Sequence, residues 1–204
     1  RGYALGWTWI LGERDLFDVS ASLSRLEGYL DDPYKIVPVG NGTLPEHRPD
    51  SRARKAVVAK YGHYFLWDGA IKASYRYYFD DWSIRAHTLD LTYDQHVADD
   101  WIISPRVRLY TQNGASFYGS SFVSPQTHMS ADYRLSPFDS ILFGLTLSCY
   151  VNDDLMLSVG ATYQNQKGRD RVTPRAADGT FSGPDVAAAD MTTKTVTLGL
   201  SYRY

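Results

Sequence analysis

An alternation of apolar and polar residues with period two constrains this chain more than any other feature. Leu155, Leu157, Val159, Ala161 and Tyr163 alternate with Met156, Ser158, Gly160, Thr162 and Gln164. Ile71, Ala73, Tyr75, Tyr77 and Phe79 alternate with Lys72, Ser74, Arg76, Tyr78 and Asp80, and Phe17, Val19, Ala21 and Leu23 with Asp18, Ser20, Ser22 and Ser24. A strand turns successive side chains to opposite faces, so each segment has one apolar and one polar face. No stretch has comparable helical periodicity. No run of 18 apolar residues is present, which excludes a membrane-spanning helix.

Extending the same reading predicts nine strands, at about 2–11, 16–25, 53–67, 70–80, 84–94, 101–112, 130–150, 155–164 and 193–204, with Phe117 to Val123 as a candidate extra strand. In 53–67, His63 interrupts the apolar face. Short connections (Gly12–Asp15, Asp68–Gly69, Gln95–Asp100, Val151–Asp154) alternate with long ones rich in Gly, Pro and charge (Leu26–Ser51, Asn113–Met129, Asn165–Asp190). Asp80–Ser83 is the short exception on the long-loop side. Short turns at one end and long loops at the other mark a bacterial outer-membrane barrel.

Two architectures share this alternation. In a soluble sandwich or lipocalin-like barrel the apolar face points inward; in an outer-membrane barrel it meets lipid and the polar face lines a lumen. Three features favour the second. Aromatics (14% of the chain) gather near strand ends on the apolar face: Trp7, Trp9, Trp67, Tyr93, Trp101, Tyr163, Tyr202 and Tyr204. Such rings suit the headgroup level of a bilayer. The polar faces are rich in Gly, Ser and Thr, which suits a confined lumen. The last segment, Val196, Leu198, Leu200, Tyr202 and Tyr204, resembles the C-terminal insertion signal read by the barrel-assembly machinery. The expected fold is an all-β, antiparallel, up-and-down transmembrane β-barrel of about 8–10 strands, residues 1–204 forming one domain in the bacterial outer membrane.

Several strings carry a family resemblance: Gly28-Tyr29-Leu30-Asp31-Asp32-Pro33-Tyr34-Lys35, Pro45-Glu46-His47-Arg48-Pro49, Tyr75-Arg76-Tyr77-Tyr78-Phe79-Asp80-Asp81-Trp82, Gln112 to Tyr118, and Asp132-Tyr133-Arg134-Leu135-Ser136. Together they resemble a family of Gram-negative outer-membrane barrels known as a domain of unknown function. The resemblance covers most of Gly28 to Tyr204. It implies location and fold, offers no catalytic residue, and hints at surface redox work with a lipoprotein or cytochrome partner. Its members are typically longer. With an odd strand count and an N-terminus at Arg1, the expectation is a C-terminal part lacking N-terminal strands, or one strand miscounted.

Lys plus Arg total 21 against 23 Asp plus Glu, a net charge of -2, which excludes a strongly basic nucleic-acid binder. One cysteine, Cys149, excludes an internal disulfide and a Cys-rich zinc site. His47, His63, His87, His96 and His128 lack zincin spacing, and the paired Asp residues lack EF-hand spacing. Ser116, Ser120, Ser121 and His128 share a loop, but nothing there defines a nucleophile with its base. No enzyme, metal or cofactor is therefore expected. The informative residues are charges with inward parity: Lys72, Arg76, Asp90, Arg106, Arg108, Asp132 and Arg134. Strand pairing through Gln95–Asp100 can set Asp90 opposite Arg106, with Lys72 or Arg76 as a further partner. Such a network plugs a narrow lumen or tunes a wide one. A pore, transporter or scaffold is one reading, a barrel whose loops hold a partner or ligand a second, and an outer-membrane enzyme a third.

Overall fold

The computed structural model describes residues 1–98, 100–171 and 187–203. Its strands are β1 (Gly2–Ile10), β2 (Asp15–Glu27), β3 (Ile36–Val39), β4 (Gly42–Pro45), β5 (Ser51–Tyr64), β6 (Gly69–Asp80), β7 (Arg85–Ala98), β8 (Trp101–Gln112), β9 (Phe138–Tyr150), β10 (Leu155–Gly168) and β11 (Met191–Tyr202). Nine of these form one antiparallel sheet in the order β1-β2-β5-β6-β7-β8-β9-β10-β11, and β3-β4 is a separate hairpin. The nine follow one another in chain order, with the β3-β4 hairpin interposed between β2 and β5, as an up-and-down barrel requires. β1 and β11 are not paired with each other, so the sheet stays open.

Most apolar residues of the wall lie on one exposed face. Leu5 (80% exposed), Trp7, Val57, Tyr75, Leu91, Leu145, Val159 and Leu198 (81%) all keep the expected parity. Burial is inverted relative to a soluble sheet. Of the buried apolar residues among the described positions, only Ala56 and Ala86 belong to the nine wall strands; the rest lie in connecting segments. An apolar face left open along every strand suits a lipid solvent.

Aromatic rings on this face form two bands. At the short-turn end Phe65 stacks on Trp67 at 4.4 Å, Trp9 packs on Phe17 at 5.7 Å, and Trp67 Nε1 donates to Tyr93 Oη at 2.9 Å. His63 lies here against Phe65, with Nδ1 2.7 Å from Asp15 Oδ1, which accounts for its break in the apolar pattern. At the other end Tyr77 stacks on Phe79 at 5.5 Å, and Tyr75 Oη lies 2.6 Å from His87 Nδ1. From the Ile71–Tyr93 rung to the Phe79–Arg85 rung is about 26 Å of strand at roughly 3.3 Å per residue. At a tilt of about 40° that length spans about 20 Å of height, somewhat less than the roughly 25 Å apolar band of such barrels.

Pro105 stands inside β8, where it cannot donate to β7. The adjacent Ser104 Oγ donates to Asp94 at 2.6 Å, and the β7–β8 register is unchanged from Thr92–Arg106 to His96–Ile102, shifting only between His96 and Ala98.

Two expectations fail in the long connections. Ser130–Pro137 does not continue β9. It contains a 3-10 turn, Tyr133–Leu135, because Asp132 caps the backbone of Arg134 with its own side chain. Short polar side chains offer the backbone this local alternative to a ladder. Phe117 to Val123 is likewise not a strand; it makes isolated bridges, Tyr118 to Ser130 and Phe122 to Val39.

The hairpin β3-β4 was not anticipated. Gly40, at φ +56°, takes the first position of its two-residue turn, where a left-handed backbone is required. Val37, Val39 and Met129 pack with Phe122 and Ala131, while Trp82, Ile84, Ala115, Phe117 and Leu135 form a second cluster. The loops after β2 and β8 and the turn after β6 thus fold into one cap at one end of the sheet.

Candidate functional site: the polar face and its cap

The polar face of the wall carries pairs of opposite charge. Asp90 accepts from Arg106 through Nε (2.9 Å) and Nη2 (2.6 Å), and from Arg108 Nε at 2.5 Å. In register Asp90 faces Arg108, and Arg106 faces Thr92. The expected Asp90–Arg106 contact forms, but as a diagonal, with Arg108 directly across. Lys72 is not part of this group: its Nζ lies 2.6 Å from Asp94. Arg76 also stands apart, with its guanidinium 5.1 Å from the Tyr78 ring. Asp18 accepts from Thr8 Oγ1 at 3.0 Å and lies 3.9 Å from Lys60 Nζ. Asp18, Lys60, Lys72 and Asp90 border a concave space of about 480 Å³.

Asp132 and Arg134 are not on the wall. The capped turn that ends the presumed strand carries them into the cap. There Asp132, 1% exposed, receives Arg48 Nη2 at 2.9 Å and Arg134 Nε at 2.8 Å. Burial by itself would raise the Asp132 carboxyl; the side-chain and backbone hydrogen bonds of Arg134 prevail and hold it below the ordinary carboxylate range. Arg134 is raised in turn by the same bond. Glu46, also buried, accepts from Asp32 N (2.9 Å), Arg48 Nη2 (2.7 Å) and Ser130 Oγ. Asp31 accepts from Arg48 N and lies 3.2 Å from His47 Nδ1, whose ring packs on His128 at 5.2 Å. These contacts tie the loop after β2 to the loop after β8. Tyr118, held above its ordinary value first by burial and then by donating to Asp170, ties in the connection after β10.

Beneath the cap a recess of about 340 Å³ is lined by five arginines, Arg48, Arg52, Arg54, Arg76 and Arg134. Of these, the sequence marks Arg76 and Arg134 as inward charges, and Arg48 only as part of the string Pro45 to Pro49. The available signal was that Arg52 and Arg54 share the inward parity of Lys60 on their strand, one strand away from Arg76.

Of the expected insertion signal, Val196, Leu198, Leu200 and Tyr202 share the exposed apolar face of β11, and Tyr204 lies outside the described residues. The part of the third long connection at 172–186 and residue 99 of the Gln95–Asp100 turn lie outside them as well.

A one-sided open sheet, polar on its concave side and ringed by aromatics on the other, is the wall of an outer-membrane β-barrel. Comparison with known structures bears out this fold. OmpT of Vibrio cholerae, outer-membrane expressed, superposes with a TM-score of 0.62 at 12% identity, covering 98% of this chain and 55% of that one. An in-vitro-folded OmpT of the same organism gives 0.57 at 14% identity, with coverages of 98% and 53%. A mutant of TodX, a monoaromatic hydrocarbon channel, gives 0.52 at 12% identity, with coverages of 98% and 60%. The chain therefore spans little more than half the length of the structures it resembles. It belongs to the family described as "protein of unknown function (DUF3570)", whose model matches residues 2–202. No curated protein matches the chain.

Proposed function

We propose that the protein is a barrel of the bacterial outer membrane that forms a capped passage for polar solutes. Further strands close the sheet between β1 and β11, and the barrel-assembly machinery inserts the barrel, reading the apolar face of β11. The observation that carries this reading is the segregation of the two faces: exposed Leu145, Val159 and Leu198 on one side, and Asp90 with Arg106 and Arg108 on the other. Lipid-facing and lumen-facing residues alternate in this way in transmembrane barrels. The short-turn end faces the periplasm and the cap faces outward, as in barrels with long external loops. Likeness of fold to a hydrocarbon channel is in keeping with transport.

The test is planar-bilayer recording of the full-length barrel. The passage predicts small ohmic steps that grow when Arg48→Ala loosens the cap. Silence from both forms would favour a plugged scaffold.

A second reading has its own observation. The cap leaves Tyr29, Tyr34 (93% exposed), Ile36 and Val123 (96%) uncovered. Aromatic and aliphatic groups exposed on an ordered surface suit a protein partner such as a lipoprotein or cytochrome. Under this reading Tyr34→Ser with Ile36→Ser abolishes surface electron transfer. Under the first it leaves conductance unchanged.

A further inference from the structure

The five-arginine recess does more than staple the cap. Its guanidiniums come from separate parts of the chain: Arg48 after β4, Arg52 and Arg54 on β5, Arg76 on β6 and Arg134 in the 3-10 turn. Three are neutralised by protein carboxylates. Arg48 bonds Glu46 and Asp132, Arg52 bonds Asp80 at 2.6 Å, and Arg134 bonds Asp132, with Asp32 only at its edge at 3.5 Å. Arg54 and Arg76 have no carboxylate partner among the described residues. The Nε atoms of Arg54 and Arg48 are buried with no acceptor among those residues.

Arg54 and Arg76 are half-buried, and a guanidinium drawn partly out of water without a counter-charge loses solvation and leaves strong donors unused. The hydroxyls nearby are already committed: Tyr78 Oη donates to Asp80 at 2.7 Å and Tyr110 Oη to Gln112 at 2.5 Å. The Asp132 carboxylate also lines the recess but is taken up by Arg48 and Arg134. What the recess still offers is guanidinium N–H, and planar guanidinium forks match phosphate and carboxylate oxygens. The floor leaves room, because Ala56 and Ala86 flank Tyr78 on the same rung.

We infer that this recess binds a small oxyanion bearing phosphate or carboxylate groups, held by Arg54 and Arg76 against the three paired arginines. The inference rests on the lumen reading and adds a ligand class to it.

Calorimetry with pyrophosphate on the full-length protein, folded in detergent, tests it. The wild type binds, and binding weakens as salt is raised. Arg54→Gln with Arg76→Gln weakens binding at least tenfold. Neither substitution orphans a carboxylate, so heat-modifiable migration on gels should be kept. Lys72→Gln, on the same face but paired with Asp94, leaves affinity unchanged. Should the double variant not fold, Arg76→Gln alone serves, with affinity again reduced. Folded wild type without pyrophosphate binding, variants that bind as tightly as wild type, or equal weakening by Lys72→Gln would overturn the site. Those results leave the barrel itself standing, whereas a protein that fails to insert into liposomes refutes the lumen reading instead. Phosphorus analysis of the purified protein separates two sources: lipid-borne phosphate survives dialysis, and a soluble oxyanion does not.

Discussion

Asp90 shows how single residues act on the polar face. It holds two guanidiniums, Arg106 in a two-bond fork and Arg108 through one bond. Arg106 is 38% exposed and Arg108 45%, so each pair contributes at most about 1 kcal/mol. Removing Asp90 releases both at once. Double-mutant cycles by urea unfolding should give a larger coupling for Asp90 with Arg106 than with Arg108; no coupling in either cycle would refute the network. Asp132 plays the corresponding part in the cap. Its folded pKa lies below its unfolded value, so its stabilisation is complete above the ordinary carboxylate range, near pH 4. It is lost only as pH falls through the lower folded value. Protease should therefore cut 28–50 at the same slow rate at pH 8 and pH 5, and faster only below about pH 4. Asp132→Asn should cut fast throughout. An increase in wild-type cutting already at pH 6 would contradict this.

The strands were legible because lipid on one side and a polar space on the other enforce period two, which a sequence displays directly. All nine wall strands and their apolar faces follow from that rule. The cap obeys no such rule. Val37 and Val39 are buried by Met129 and Phe122, more than 80 residues away, and short segments such as β3-β4 carry no period long enough to read. Ser130–Pro137 kept the parity of β9 by coincidence; the Asp132 capping bond and Pro137 set its real course. The arginine recess escaped notice for the same reason, since it exists only once the loop carrying Arg48 folds back over β5 and β6. The wall makes its own prediction. Leu145→Arg or Leu198→Arg should cost about 2–4 kcal/mol near the midplane or block insertion, and Thr197→Arg, on the opposite face, should be tolerated. Equal tolerance, read by folding yield in liposomes, would sink the assignment of faces.

At the scale of the molecule, the nine strands form an open wall, and the chain spans little more than half of the barrels it resembles. The ordered hydrophobic packing lies at the mouth, in the cap, while the wall leaves its apolar side to the solvent around it. The lumen and the cap's place over it both depend on that division, so the direct measurement is of solvent along one strand. In the full-length protein with Cys149→Ser, nitroxides placed one by one at 142–148 on β9 report oxygen, enriched in lipid, against a water-soluble nickel complex. Oxygen accessibility should peak at Phe143, Leu145 and Leu147, and nickel accessibility at Gly144, Thr146 and Ser148. An inverted phase, or no alternation along the strand, would contradict the account.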